Sequence, residues 1–286
     1  MSVSEAAFLF DCQGDSLPGI LASAGPSPTL GVLIVVGGPQ YRVGSHRQFV
    51  RMARALADDH TAVMRFDVRG MGDGEGAQRS FDMLDPDIMA AINAFKVKVP
   101  TLERVVLLGL CDGATAAVLH AASGGDVDGL MLLNPWVQTA PGISRAALKH
   151  YYVRRFADRS LWRKLVSGQV GIRGALREFA AGVVESFRLQ PDGGVSDTTL
   201  PERFVDAMEA AHIQTLVILS GNDFVAREFE DSVLRLSGFK QAVDAGWAQV
   251  THLPGADHTF SISPQLESLI TNCRDWLRMH FAESGD

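Results

Sequence analysis

Few cysteines are present, and no pattern ties them together. The 286 residues contain three, Cys12, Cys111 and Cys273, which are odd in number, far apart and without the spacing of a metal site. Reduced thiols are therefore expected, and a reduced thiol can carry chemistry. We predict neither a bound metal nor a cofactor.

The sequence also lacks long hydrophobic runs and an excess of basic residues. No apolar run approaches the roughly 18 residues of a membrane span, and the N-terminal residues do not read as a secretion signal. The net charge of −7 disfavours general nucleic-acid binding, which usually accompanies a basic balance. These absences predict a cytoplasmic protein with no transmembrane segment and no nucleic-acid partner.

Short apolar runs do recur along the chain, with helical patterns between most of them. Runs of this length, rich in branched residues, are typical of buried parallel strands, and the alternation predicts a doubly wound, mostly parallel α/β sheet. The predicted strands lie within residues 29–38, 61–70, 104–113, 127–136, 214–223 and 247–256, and predicted helices include 46–59, 85–98 and 264–281.

The regular spacing breaks once, between Trp136 and Gln214. A gap of roughly 75 residues is too long for a bare loop. We predict a helical lid, residues 138–210, inserted into a core formed by residues 1–137 and 211–286. Residues 141–177 contain nine lysines and arginines and one acid, a pattern that predicts steering of an anionic substrate, attraction to anionic lipid or a solvated helix face.

The stretch "LLGLCDGAT" at residues 107–115 raises the main chemical question. An apolar strand leads through Gly109-x-Cys111-x-Gly113 into a run of small residues, which is the pattern of a nucleophile elbow. The two glycines would leave room for a tight crossing of strand and helix. Cys111 is therefore a candidate nucleophile, and the alternative is a buried thiol beside a tight turn.

Two further residues follow in the order that a catalytic triad on this scaffold requires. Asp223 comes just after one predicted strand, and His258 lies in the loop after the next. His258 would take the thiol proton and later protonate the leaving group, while Asp223 would orient the imidazole. The helix N-terminus and an imidazolium would favour the thiolate of Cys111, whereas the neighbouring Asp112 carboxylate would raise the thiol pKa.

The loop after the first parallel strand is predicted to complete the site. The backbone N–H of Asp112 would supply one oxyanion donor, and Gly38 or Gln40 the second, because Pro39 has no N–H. Three polar side chains of the same loop are expected to contact the substrate: Tyr41, Arg42 and His46. The glycine-rich turn at residues 65–76 is predicted to be structural, with Asp67 and Arg69 paired.

Taken together, these residues resemble the α/β-hydrolase superfamily over essentially the whole chain. The segments "GGPQYRVGSHRQF", "RFDVRGMGDGEG", "GLCDG", "LLNPW" and "KHYYVRR" are similar to the first type of exosortase A system-associated hydrolase. The Gly-x-Cys-x-Gly elbow is also similar to dienelactone hydrolase. The resemblance implies a cytoplasmic hydrolase that is accessory to exopolysaccharide biosynthesis and has an undefined substrate.

A cysteine nucleophile narrows the expected reaction. A thiolate attacks well but also leaves well, so intermediates formed on amides tend to collapse backwards, whereas esters, lactones and thioesters go forward. We predict an esterase or thioesterase acting through a thioester acyl-enzyme on a small ester or thioester, with an anionic substrate and a homodimer left open. The alternatives are an acyltransferase to a sugar or other alcohol, and a non-catalytic binding protein of the same fold.

Overall fold

Eight strands form one sheet within the residues that the computed structural model describes, namely 2–38, 40–137 and 198–281. The strand order is β1-β2-β4-β3-β5-β6-β7-β8. β2 pairs antiparallel with both β1 and β4, and every later neighbour is parallel. The bounds are β1 Ser4–Cys12, β2 Asp15–Ser23, β3 Leu30–Val35, β4 Thr61–Phe66, β5 Arg104–Leu110, β6 Gly129–Leu133, β7 Gln214–Ser220 and β8 Ala248–Leu253.

Helices cover both faces of this sheet. Along β3, Val32 and Ile34 join the core under α1 and α7, and Leu33 and Val35 join the core under the other helices. The described helices are α1 Gln48–Leu56, α2 Asp85–Lys98, α3 Asp112–Ala122, α4 Leu200–Ala211, α5 Phe224–Ser232, α6 Ser237–Asp244 and α7 Ser263–Phe281.

Burial on both faces explains why the strands were visible in the sequence. All six residues of β3 and of β4 are buried, so neither strand alternates between apolar and polar residues. The prediction of a doubly wound, mostly parallel sheet is confirmed. Each strand ends before its apolar run does, as at Leu110 in the run 104–113, because the last residues of the run already form the loop that follows.

The N-terminal hairpin is the part of the sheet for which no strand was predicted. β1 and β2 are joined by a two-residue turn at Gln13 and Gly14, both with positive φ. β1 lies at the sheet edge and is largely exposed, so it lacks the continuous apolar run of the central strands.

Most of the predicted lid, residues 138–197, lies outside the described residues, and its helical structure remains a prediction. The described end of that segment is α4, which begins in a capping box where the Thr199 N–H donates to Glu202 Oε2 at 2.7 Å. α4 packs on α3, and its Phe204 meets Phe229 of α5 edge to face at 5.4 Å between ring centroids. Residues 200–211 therefore pack with the core helices.

Candidate active site

Cys111 sits alone between the last residue of β5 and the first residue of α3. Its φ of 59° and ψ of −125° are strained for a residue with a side chain. Two backbone hydrogen bonds hold it there: the Cys111 N–H donates to Leu133 O at 2.9 Å, and the Trp136 N–H donates to Cys111 O at 3.1 Å. The chain after β6 thus fixes the turn that presents the thiol.

Glycine is required on either side of Cys111 because strand and helix cross so closely. A Cβ atom at Gly109 would lie 2.5 Å from the Cα of Ala114, and one at Gly113 would lie 2.7 Å from Val35 O. Neither contact can be relieved by moving a flexible side chain, since both involve backbone atoms. A nucleophile elbow requires a close approach of this kind, and the role of Cys111 as the nucleophile stays a prediction.

Asp223 and His258 come together at the ends of neighbouring strands. Asp223 follows β7 and caps α5, where its Oδ2 accepts the Ala226 N–H at 3.1 Å. The same oxygen lies 2.8 Å from Nδ1 of His258, which follows β8. The two residues are 1% and 3% exposed. With Nδ1–H donating to the carboxylate, Nε2 of the ring is left for proton transfer.

The thiol of Cys111 is held in its neutral form. Burial, then the Asp112 and Asp223 carboxylates, raise the pKa of Cys111 well above its usual range, although the Asp112 N–H lowers it. Among the described residues no hydrogen bond joins the Cys111 sulfur to the His258 ring. The raised pKa expected from Asp112 is therefore seen, whereas the thiolate expected from the helix N-terminus is outweighed by burial.

The two candidates for the second oxyanion donor differ in their partners. The Gln40 N–H donates to Gly38 O at 2.8 Å and is engaged within its own turn. The Gly38 N–H is directed at the carboxyl of Asp112, whose pKa it lowers, and Gly38 has a φ of 60°. Gly38 is the better placed of the two beside the elbow.

The predicted pair of Asp67 and Arg69 is wrong, because the two side chains face different elements. Asp67 is fully buried, accepts the Arg42 N–H at 2.6 Å and forms an ion pair with the Arg42 guanidinium, which also reaches Asp73 at 2.6 Å. Arg69 instead pairs with the buried Asp87 of α2 at 2.8 Å. Arg42 thus anchors its loop to the turn after β4.

The remaining predicted substrate contacts lie on the same loop. Tyr41 is 44% exposed, and His46 is also exposed, with a φ of 55° in a short 3-10 turn. The described contacts join neither side chain to Cys111 or His258. Substrate binding by Tyr41, Arg42 and His46 stays a prediction.

Asn134 and Ser220 form a buried network that the sequence reasoning missed. The Asn134 amide donates to Ser220 Oγ at 2.9 Å and to His258 O at 3.1 Å, and its Oδ1 accepts the Ser220 N–H at 2.8 Å. Ser220 Oγ donates in turn to Asp257 O at 3.0 Å. A polar residue directly after the buried strand β6, before Pro135, was the available signal.

The other two thiols are buried away from this chemistry. Cys12 is 1% exposed and its Sγ lies 3.6 Å from Pro86 O. Cys273 is fully buried in α7, where burial raises its pKa to about 12. Cys111 is the one partly exposed cysteine of the three.

Two other kinds of feature are absent from residues 2–38, 40–137 and 198–281. Within these ranges no three His, Cys, Asp or Glu side chains group in a way that could hold a metal ion. The helices described there are all too short or too polar to cross a membrane.

Solved structures similar to this chain share its fold at low sequence identity. An esterase of Pyrococcus furiosus, Pf2001, has 15% identity and a TM-score of 0.63, with 97% of this chain and 91% of that chain covered. Est1E of Butyrivibrio proteoclasticus, solved with ferulic acid, has 18% identity and a TM-score of 0.63, with 97% and 100% covered. A dienelactone hydrolase of Anabaena variabilis has 14% identity and a TM-score of 0.61, with 98% and 99% covered.

At the level of sequence, no curated protein matches the chain. A family model does match: Hydrolase_4, described as serine aminopeptidase, S33, over residues 30–260. That range runs from β3 to the loop that carries His258, and includes the elbow and Asp223. The chain therefore belongs to the Hydrolase_4 family and is an α/β-hydrolase.

Proposed function

We propose that this protein is a cysteine-dependent acyl hydrolase, an esterase or thioesterase, in which Cys111, His258 and Asp223 act together. The observation that carries the proposal is the buried hydrogen bond of 2.8 Å between Asp223 and His258, beside a strained elbow that presents a thiol. The carboxylate of Asp223 also acts on the thiol, since it contributes to the raised pKa of Cys111.

Acylation needs a proton transfer first, because the resting thiol is neutral. Nε2 of His258 takes the thiol proton as the sulfur attacks the acyl carbon, and the imidazolium is stabilised by Asp223. The carbonyl π electrons become an oxyanion, which the N–H groups of Asp112 and Gly38 would bind. Collapse breaks the bond to the leaving alcohol or thiol, which receives the proton from His258.

Deacylation returns the enzyme to its starting state. Water attacks the thioester carbon and gives one proton to Nε2 of His258. The second tetrahedral intermediate expels the sulfur of Cys111, which recovers that proton, and the carboxylic acid is released. If an alcohol takes the place of water, the same steps give acyl transfer, so an acyltransferase remains the first alternative.

The choice of ester or thioester rests on the nucleophile. The family description names a serine peptidase, but the elbow of this chain carries Cys111. A thiolate is a better leaving group than an amine, so an amide adduct would revert. Two esterases and a dienelactone hydrolase share the fold, which supports an ester as the class of substrate.

Several finer proposals rest on sequence patterns alone. Association with exosortase-linked exopolysaccharide synthesis rests on the resemblance, and a cytoplasmic location rests on the resemblance and on the absence of a secretion signal and a membrane span from the sequence. The proposal of an anionic substrate rests on the basic residues between positions 141 and 177. A homodimer is carried over from the sequence analysis, and no contact between described residues supports it. A non-catalytic binding protein of the same fold is the alternative that a failed activity test would favour.

Acyl-enzyme trapping tests the proposal directly. The protein is incubated with 4-nitrophenyl acetate and with a short acyl thioester, quenched in acid and examined by intact and peptide mass spectrometry. We expect one acyl group on the peptide that contains Cys111, and none in Cys111→Ala. Cys273→Ala is the matched control and should acylate normally. Unchanged turnover in Cys111→Ala would refute the cysteine mechanism. Hydrolysis of an aminoacyl anilide would instead show the peptidase activity that the family description names.

A further inference from the structure

The Asp112 side chain does not point into solvent from the start of α3 but turns back toward the loop after β3. Its Oδ1 accepts the Gly113 N–H at 3.1 Å. The same oxygen fills the space beside Gly37, where any Cβ would overlap it, and lies 3.9 Å from the Cβ position of Gly38. The carboxyl group therefore lies between the elbow and the oxyanion loop.

This position places the carboxyl on the donors that the reaction needs. The Gly38 N–H and the N–H of Asp112 itself both act as hydrogen-bond donors to the Asp112 carboxyl and lower its pKa, as does Gly113. The first two are the groups assigned above to the oxyanion of the tetrahedral intermediate. A carboxylate oxygen resembles that oxyanion in charge and in hydrogen-bonding capacity.

We propose that the Asp112 carboxylate occupies the oxyanion hole of the free protein and that an acyl substrate must displace it before the tetrahedral intermediate can form. The inference rests on the proposed function, because it concerns the same thiol. Asp112 thereby becomes a specificity-determining residue. It favours acyl groups whose developing oxyanion is bound strongly enough to replace an internal anion, such as activated esters and thioesters.

Electrostatics support this arrangement. Burial raises the pKa of Asp112 to about 6, so the group is mostly ionised at neutral pH, and the charge of His258 lowers this pKa. The described titratable groups that face the carboxyl are His258 and the neutral thiol of Cys111, with Asp223 behind the imidazole. Two anions cannot share one set of donors, so oxyanion formation requires the carboxylate to rotate away or to take up a proton.

Two variants separate the occupancy of the hole from the charge of the side chain. Asp112→Asn removes the charge and keeps an amide oxygen that can accept the Gly38 N–H. Asp112→Ala removes both the charge and the acceptor. Cys111 is the reporter in both, and thermal melts establish that each variant is folded.

Two probes of Cys111 report on different steps. Iodoacetamide alkylates the sulfur by displacement of iodide and forms no oxyanion, so its rate reports the charge effect on the thiol. An aryl trifluoromethyl ketone adds reversibly: the S–C bond forms, the carbonyl oxygen becomes an oxyanion in the hole, and His258 keeps the thiol proton. Its inhibition constant against 4-nitrophenyl acetate reports the occupancy, and a fluorine NMR shift of the bound ketone that is lost in Cys111→Ala identifies the adduct.

If the Asp112 carboxylate occupies the oxyanion hole, the two variants should differ in their affinity for the ketone but not in their rate of alkylation. Both should speed alkylation at pH 7 to a similar extent, and Asp112→Ala should bind the ketone about tenfold more tightly than Asp112→Asn does, the value of one vacated hydrogen-bond acceptor. Equal ketone affinity in the two variants would mean that Asp112 affects Cys111 only through its charge. Weaker binding in Asp112→Ala would make the carboxyl a support of the oxyanion loop. Either result overturns the inference and leaves the proposed function standing.

Failure of the proposed function has a separate signature. If the ketone adduct is absent from Cys111 in the wild type and in both variants, while iodoacetamide still labels this thiol, Cys111 is not an acyl nucleophile. The inference about Asp112 then falls with it.

Discussion

The two halves of the candidate site are built in opposite ways. On the acid–base side, Asp223 and His258 form a buried pair joined by a hydrogen bond. On the nucleophile side, Cys111 has positive φ, and the neighbouring Asp112 carboxylate raises its thiol pKa. One half is ready for proton transfer before substrate arrives, and the other is held back until it does.

This difference shows which half of the site lowers the stability of the folded state. A buried acid and base that are hydrogen-bonded to each other are tolerated, whereas a desolvated carboxylate beside a desolvated thiol costs free energy in the folded state. Strain at an active site persists when the surrounding structure determines it, and here β5, α3 and the chain after β6 do so.

Removing the reactive atom should have the largest effect. Cys111→Ala and His258→Ala should each lower kcat for a 4-nitrophenyl ester by about a thousandfold or more, since each removes a member of one unit. The double variant should be little worse than either single one, which steady-state kinetics would reveal. Cys12→Ala should keep its activity, and multiplicative losses in the double variant would mean that the two residues act separately.

The second prediction concerns the protonation of the thiol. Because the pKa of Cys111 is raised well above its usual range, the thiol stays neutral as pH rises through neutrality. The rate of alkylation by iodoacetamide, measured by mapping of the Cys111 peptide, should therefore rise about tenfold per pH unit and still be rising at about pH 9. A plateau below about pH 8 would show that the nucleophile side is already ionised in the free protein.

The third prediction concerns the acid–base side. Asn134→Leu should leave His258 without the donor to its backbone oxygen, and a misplaced imidazole should lower kcat by about tenfold to a hundredfold while KM stays nearly unchanged. Asn134 is a positioning residue, so the split between kcat and KM is the informative measurement. Asn272→Leu on α7 is the control, because it removes a partly exposed amide that donates to Ser268 O at 2.8 Å. A rise in KM with constant kcat would assign Asn134 to substrate binding instead.

Much of the fold and part of the site follow from the sequence. Buried parallel strands leave continuous apolar runs, and the carboxyl ends of neighbouring strands share one edge, so Cys111, Asp223 and His258 could be grouped before their positions were known. The hairpin of β1 and β2 left no such signal, because an edge strand is exposed and need not be apolar.

The rest depends on side-chain directions that spacing does not contain. Asp67 lies two residues from Arg69, yet it pairs with Arg42 on another loop because the chain after β3 folds over it. The same holds for Asn134 and for the carboxyl of Asp112, whose partners come from segments distant in sequence. Local rules predict where such residues lie on an element, and tertiary approach decides what they contact.

The last prediction concerns the free energy of unfolding that the protein loses by ionising Asp112 beside the nucleophile. The pKa of Asp112 is raised from 3.8 to about 6, so the folded protein binds this proton more tightly than the unfolded chain does. Stability from this group is then fully present below pH 3.8 and is lost as pH rises through about 6. The side chain of Asp112→Asn cannot ionise, so this variant loses no stability in this way. As pH rises from 4 to 7, its free energy of unfolding should increase relative to that of the wild type by about 2 to 3 kcal/mol.

Urea unfolding of both proteins at the two pH values measures this gain. Exposed Asp206 provides the control, because Asp206→Asn should show nearly the same difference from the wild type at pH 4 and at pH 7. A gain for Asp112→Asn that does not change with pH would mean that the carboxylate carries no burial cost. The contrast between the two halves would then reduce to the strain at Cys111. A pH-dependent gain accompanied by faster alkylation would instead show that the same buried charge lowers stability and restrains the thiol.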